Sequence, residues 1–273
     1  MKSFLLQLEK NGHYSEDVAV VARLIGEYNW LYPNDRIKIY ECKFEDLVVN
    51  RLDKESIPVG SIEFVNKYLD IIGSQPMKPI NIPTDMQKPL FLQRRLMICP
   101  TEDVLSKFSE WQTNKLFIKS HQHLKTDYTG IYTYRDIQSS PSILEHMGNK
   151  CLISEPVKFV SEWRCFVYKG ELKDMKCYLG DFWTLPNQTF IEACIDSAPE
   201  DLEAYTLDVG VMDDGGNAII ELHNFVSCGL YGFDDSCILK MLRVAFRKEK
   251  DKFNIRDYSD QDDYLFQLFQ VKK

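Results

Sequence analysis

Asp208 and Glu221 are the residues of this chain most suited to chemistry. They sit in two β-branched and apolar runs, Tyr205–Met212 and Asn217–Phe225, separated by Asp213-Asp214-Gly215-Gly216, a turn signal that predicts a β-hairpin. Counting outward from a turn in which Asp213 faces Gly216 sets Asp208 directly opposite Glu221. Opposed residues of an antiparallel pair have Cβ atoms ~4.5–5.5 Å apart, and like charges there are destabilising. Two acids in an otherwise apolar ladder (Leu207, Val209 and Val211 against Ile219, Ile220 and Leu222) therefore call for a counter-charge. Mg²⁺ takes oxygen ligands and commonly sits between carboxylates and substrate phosphates. The plainer reading is a solvated strand face with a Lys or Arg nearby, and a one-residue bulge would break the opposition.

The elements that must position these acids follow from the rest of the pattern. The first third reads as α/β: strand Ser3–Leu8, amphipathic helix Glu16–Glu27, strand Ile37–Tyr40, then helix Ile62–Ile72 with Ser61 as N-cap. A proline-rich stretch, Gln75–Pro89, reads as a linker and boundary. From about residue 90 strands take over. Leu116–Lys119 runs into a polar loop, Ser120–Gly130, that contains Lys125, and Cys151–Ser154 leads to Glu155-Pro156-Val157. Trp163–Tyr168 and Glu171–Tyr178 flank Lys169-Gly170 as another hairpin, with Arg164, Phe166 and Tyr168 on one face and Cys165 and Val167 on the other. A loop near Asp181–Thr189 and a helix or turn around Pro199–Tyr205 precede the acid-bearing hairpin, and Asp235-Ser236 caps a helix to about Lys250. Trp111, Trp163 and Trp183 read as core or cleft-rim packing.

Arg164 is hard to place as a bystander. A planar, permanently charged guanidinium within an apolar strand needs an anion. That anion is either Asp208 or Glu221 themselves, in a salt bridge, or a phosphate of a bound molecule.

Composition narrows the class. The chain has 273 residues, 44% hydrophobic and 27% charged, with a net charge of −8. That is ample for one large or two modest domains. An acidic surface argues against general nucleic-acid binding, since affinity for a phosphate backbone comes from basic surface. Eight cysteines are scattered without a CxxC pair, so they read as small reduced hydrophobes. The apolar run in MKSFLLQLEKNGH is too short for a signal peptide, and nothing approaches a membrane span. The expectation is a soluble, cytoplasmic protein.

Taken in order, the parts are a strand ending in lysine, a lysine-bearing glycine loop, a strand leading to Glu-Pro-Val, a hairpin carrying Arg, and a hairpin carrying Asp and Glu. That ordered set resembles the ATP-grasp superfamily, the fold of many ATP-dependent carboxylate–amine ligases. The likeness covers about residues 90–235. Its closest match is ELHNFVSCGLYG at Glu221–Gly232, which is similar to a bacterial and phage-associated group. The resemblance implies an α+β fold: a small α/β domain over residues 1–89, then an ATP-grasp domain over 90–273. The latter would divide into a phosphate-loop part (90–154) and a metal-binding part (155–273).

Carried onto this sequence, Lys119 would contact the nucleotide phosphates and the Lys125–Gly130 loop would fold over them. Lysine is a compact point charge suited to phosphate, and glycine lets backbone N–H groups approach an anion. Glu155, Pro156 and Val157 match the hinge where main-chain groups read the adenine edge, and Glu162 the ribose-binding acid. Asp208 and Glu221 match the metal-binding acids. The superfamily usually has an asparagine two residues after the glutamate, whereas this chain has His223 there and Asn224 one position later. Period-two geometry points Asn224 away unless the strand has ended or bulged. Histidine ligates several transition metals but is uncommon on Mg²⁺. Either His223 replaces the asparagine, or Asn224 swings in, or the second metal position is weakened. Gly229 and Gly232 fit close backbone approach to an acceptor substrate, or a plain strand-to-helix turn.

The implied activity is an ATP- and Mg²⁺-dependent ligase. It would join a small-molecule or peptide carboxylate to an amine through an acyl phosphate, with Arg164 and Lys119 as its catalytic cations. Two other readings fit the same residues: a phosphotransferase, and a nucleotide-binding module with an impaired metal site.

Overall fold

Short parallel pairing opens the chain. In the computed structural model, which describes residues 3–48, 54–124 and 127–250, strand β1 (Ser3–Leu8) lies between β2 (Lys38–Lys43) and β3 (Ile57–Val59), parallel to both. Helix α1 (Glu16–Leu31) connects the first two, and α2 (Ile62–Ile71) follows the third. Ser61 caps α2 as its sequence predicts, its hydroxyl accepting from Phe64 N–H at 3.2 Å. Helix α1 runs four residues past the predicted Glu27.

After the proline-rich stretch come α3 (Pro89–Leu92), β4 (Leu96–Pro100), α4 (Val104–Glu110), β5 (Lys115–Ser120), β6 (Gly130–Thr133), α5 (Tyr134–Ser139), α6 (Ser142–Glu145) and β7 (Lys150–Ser154). Their strands form a second, wholly antiparallel sheet in the order β4-β7-β5-β6. A third sheet, order β11-β10-β8-β9, is built from β8 (Phe159–Tyr168), β9 (Glu171–Gly180), β10 (Ala204–Met212) and β11 (Asn217–Asn224). Helix α7 (Gln188–Asp196) interrupts it and α8 (Cys237–Lys250) follows it. The expected helix or turn around Pro199–Tyr205 is a turn, closed by Leu202 N–H on the Pro199 carbonyl at 2.9 Å, and a further helix lies earlier, capped by Asn187, whose side chain accepts from Phe190 N–H at 3.1 Å. Tyr205 already belongs to β10. The mixture of helices with antiparallel sheets is the expected α+β class.

Both faces of the third sheet are covered, so β10 is buried from Ala204 to Val211. One face carries Cys165, Val167, Tyr205 and Leu207 into a core with Ile191 and Cys194 of α7. The other carries Phe166, Tyr168 and Phe225 into a core shared with α1, α2 and α8. The predicted alternation in β8 thus separates these residues onto two faces. Phe166 stacks on Phe233 at 4.3 Å and meets Phe225 edge-on at 6.2 Å. A third core fills the second sheet, with Leu116, Ile118, Ile153 and Phe108.

All eight cysteines are free. Each core takes some of them: Cys165 and Cys194 lie in the core under α7, and Cys99 and Cys151 in that of the second sheet. Trp111 and Trp163 are buried, but Trp183 is 77% exposed beside Phe182, so it is neither core nor rim packing. No helix among the described residues is long and apolar enough to cross a membrane.

Phe166 stands in the core that the first sheet, the third sheet and α8 share. Replacing it with alanine should lower stability by about 3–5 kcal/mol, the range for truncating a buried phenylalanine. Urea unfolding midpoints of wild type and Phe166→Ala measure this, and a loss under about 1 kcal/mol would mean the aromatic cluster does not bear on the core.

Candidate functional site

Register brings the charged residues together. Lys176 of β9 faces Arg164 of β8, Arg164 faces Asp208 of β10, and Asp208 faces Glu221 of β11. Charges therefore lie in one row across four neighbouring strands, with the two acids adjacent. Asp208 is 1% exposed, and both its oxygens are taken by the Arg164 fork, Nε to Oδ1 at 2.8 Å and Nη2 to Oδ2 at 2.7 Å. Of the anions considered for Arg164 (Asp208, Glu221 or a bound phosphate), the structure supplies Asp208. Burial works against the guanidinium charge, but Asp208 more than restores it and holds Arg164 above its ordinary value. The rings of Tyr178 and Tyr231, stacked 5.4 Å apart, lie 5.6 and 5.1 Å from the same guanidinium. Tyr231 sits in the left-handed region, φ 50°, a strained conformation that a surrounding structure must hold in place.

Glu221 is answered from two directions. Lys119, reaching over from the second sheet, donates at 2.9 Å to one oxygen, and His223 Nε2 lies 2.8 Å from the other. Burial works to raise this carboxyl, yet the His223 ring and the Lys119 ammonium hold it well below the usual carboxylate range. His223 Nε2 also stands 4.0 Å from Asp208 Oδ2. Asp208, Glu221 and His223 each offer one donor atom, and these lie within 4.8 Å of one another.

The opposition of the acids is as predicted, but its origin differs. The turn is a three-residue loop closed by Met212 N–H on the Gly216 carbonyl at 2.8 Å, with Gly215 at φ 82°, so Asp213 does not face Gly216. Pairs near the turn are shifted by one, Val209 against Ile219, and a bulge beside Asp208 restores the register. Arg94 holds that bulge: Nη1 donates to the Ile219 carbonyl at 2.7 Å and the Leu92 carbonyl at 2.9 Å, and Nη2 to the Ile220 carbonyl at 3.3 Å. Burial pulls Arg94 down to about 10.

The remaining expected residues divide. Glu155 is gripped by its neighbour in the second sheet. Arg95 Nε and Nη2 donate to its Oε1 at 2.9 and 2.6 Å, and Arg95 N–H donates to its Oε2 at 2.8 Å. These bonds hold the Glu155 carboxyl below its ordinary value. Val157 follows in the link between β7 and β8. Glu162 accepts from the Tyr178 hydroxyl at 2.8 Å. Gly130 opens β6 opposite Ile118 rather than sitting at a loop tip, and Lys125 lies outside the described residues. Asn224 pairs with Tyr205, whose ring is buried in the core under α7, so it is out of phase with Glu221 and His223 along β11.

Sequence reasoning missed Arg94, Arg95, Asp17, Tyr178 and Tyr231. Two adjacent arginines just before an apolar strand are a usable signal, because each guanidinium needs acceptors close to the core it borders. Asp17, in the first turn of α1, accepts from Leu230 N–H at 3.1 Å, and burial raises its carboxyl. It lines a cavity of about 570 Å³ between the first and third sheets, together with Gln7, Ser61, Arg164, Glu221 and His223. The arrangement thus joins a cation-ready cluster to a partly open cavity large enough for a small molecule or a chain end.

Residues 91–241 match the family model described as ATP-grasp domain, R2K clade family 2. Among solved structures, D-cycloserine synthetase DcsG is similar at a TM-score of 0.56 and 11% identity, over 90% of this chain and 99% of that one. D-alanyl-alanine synthetase A from Vibrio cholerae gives 0.51 and 12%, over 92% and 100%. The macrocyclase MdnC of Microcystis aeruginosa, solved with its precursor peptide MdnA, gives 0.50 and 11%, over 90% and 99%. At these identities the likeness is one of fold. A comparison with curated proteins gives no match.

Removing the Arg94 clasp should be felt at the bulge. Arg94→Met leaves the carbonyls of buried Ile219 and its neighbour unpaired and should destabilise the fold by about 1–3 kcal/mol in urea titration. An unchanged midpoint would show that β11 keeps its register unaided. The Glu155 pair has a pH signature. Its folded value lies below its unfolded one, so its stabilisation is full above the ordinary glutamate range, ~4.3, and disappears as pH falls through the lowered value. Glu155→Gln should flatten that acid limb of the stability profile, by about 1 kcal/mol or less for a half-exposed pair.

Proposed function

Because this chain belongs to the ATP-grasp superfamily, R2K clade family 2, we propose that it is an ATP-dependent ligase joining a carboxylate to an amine. The observation that carries the reading is the meeting of Lys119, from one sheet, with the row of Arg164, Asp208 and Glu221 on the other. Such a meeting is what a polyphosphate and its cation require: a lysine for phosphate oxygens and paired carboxylates for the metal. The donor set fits a divalent cation, which when bound would neutralise phosphate charge between Asp208, Glu221 and His223. Lys119, now on Glu221, would serve the phosphates, with Lys125 as a second cation for them. The link through Glu155 and Val157 would take the adenine edge, and Glu162 the ribose.

In the proposed reaction a substrate carboxylate oxygen takes the γ-phosphoryl group of ATP, giving an acyl phosphate and ADP. An amine nitrogen then attacks the acyl carbon, phosphate leaves, and the nitrogen loses a proton as the amide forms. Little covalent chemistry falls to the protein, whose work is positioning and charge neutralisation. Arg164 fixes Asp208 and lines the cavity where the carboxylate and amine would meet. The substrates are a small-molecule or peptide carboxylate and an amine.

Thermal unfolding with ATP and a divalent cation tests the nucleotide site. A ligand at a hundred times its Kd stabilises by about 2.7 kcal/mol, so wild type should melt higher, and Glu221→Gln and Lys119→Met should lose most of the gain. These variants are preferable to Asp208→Asn, which would strand the buried Arg164 charge. Hydroxylamine supplied as the amine should trap acyl phosphates as hydroxamates. A stable phosphorylated product without hydroxamate would point to phosphotransfer instead, and nucleotide binding with no turnover to a binding module.

A further inference from the structure

We propose that the cation site selects Mn²⁺ over Mg²⁺, with His223 as a direct ligand through Nε2. The inference rests on the nucleotide-and-cation reading of this site and deepens it. His223 and Glu221 are two apart on β11 and so share a face, and Asp208 stands directly across from Glu221. His223 Nε2 already lies 2.8 Å from Glu221 Oε1 and 4.0 Å from Asp208 Oδ2, inside the same donor cluster. Asn224, the oxygen ligand that could have taken its place, is paired with Tyr205 and out of phase with Glu221 and His223 along β11, although it borders the same cavity.

Two observations set the preference. Mg²⁺ asks for oxygen ligands in near-ideal octahedral geometry and dehydrates reluctantly, whereas imidazole is the donor of later first-row cations such as Fe²⁺, Ni²⁺ and Zn²⁺. Mn²⁺ is the first-row ion that also accepts carboxylate and phosphate oxygens readily. Independently, both Asp208 oxygens are shared with the Arg164 fork at 2.8 and 2.7 Å, which withdraws negative charge from the cation. Glu221 is engaged in the same way, by Lys119 at 2.9 Å and His223 at 2.8 Å, so an ion relying on oxygen alone meets two carboxylates whose charge is already partly answered. An ion that also bonds nitrogen recovers that loss through His223.

Electron paramagnetic resonance of Mn²⁺ added to the full chain with ADP tests this without any turnover. Loss of the free-ion signal gives Mn²⁺ affinity, Mg²⁺ competition gives the ratio, and spin-echo spectroscopy on protein labelled with ¹⁵N-histidine reports whether an imidazole nitrogen is bound. The expected result is a ¹⁵N coupling in wild type, together with a fall of about tenfold or more in the Mn²⁺-to-Mg²⁺ affinity ratio in His223→Asn. Bound Mn²⁺ without ¹⁵N coupling in wild type overturns the proposal, whatever the variant does, and so does an unchanged ratio. Should the nucleotide reading itself be wrong, ADP would not alter affinity for either ion. Failure of the metal preference alone would leave ADP-dependent binding intact with no nitrogen signal.

Discussion

A carboxylate withdrawn from water has to be answered inside the protein, and the Arg164 fork on Asp208 is that answer. Removing one partner from a buried ion pair strands the other at a cost of about 3–5 kcal/mol, so neither residue is free to vary alone. The pair in turn places the row. With Arg164 locked to β10, β8 and β10 are held side by side, and Glu221 comes to lie one strand further out, within reach of Lys119. Tyr178 and Tyr231 then roof the guanidinium, and Glu162 fixes Tyr178. Each contact follows from the need to keep one buried charge neutralised.

The neighbouring residues Arg94 and Arg95 work at the edges of that arrangement. Arg94 satisfies carbonyls on β11, the edge strand of the third sheet. Arg95 grips Glu155 and lies 5.1 Å from the Trp111 ring in the second. A single dipeptide therefore ties the outermost strand of one sheet to the segment leaving the other.

Much of this was legible in the chain. The acid-bearing hairpin, the Ser61 cap, the two faces of β8, and Asp208 as a candidate partner for Arg164 all follow from local pattern. The opposition of Asp208 and Glu221 was reached through two one-residue departures that cancel: the loop is shorter than Asp213-Asp214-Gly215-Gly216 implied, and a bulge makes up the difference. That bulge depends on an arginine 125 positions away in sequence, which no local count can reveal. The helices α3 to α6 escaped notice because, at four to seven residues, they are too short to establish a 3.6-residue period. Helix α7 was hidden by Pro186-Asn187, which reads as a loop but here delivers the N-cap. Lys119 was read as a phosphate ligand, and its engagement with Glu221 could be found only by bringing two sheets together.

The free cysteines have a use that their scatter conceals. Burial pushes the Cys99 thiol up to about 11 and Cys194 up to about 12, and raises Cys151 and Cys165 as well. Because the thiolate is the reactive form, these groups stay silent toward alkylating agents while their surroundings are closed. Cys99 and Cys151 report on the second sheet, and Cys165 and Cys194 on the core under α7. The order in which they become labelled is therefore a native record of which part of the molecule opens first, written into the chain without the addition of any probe.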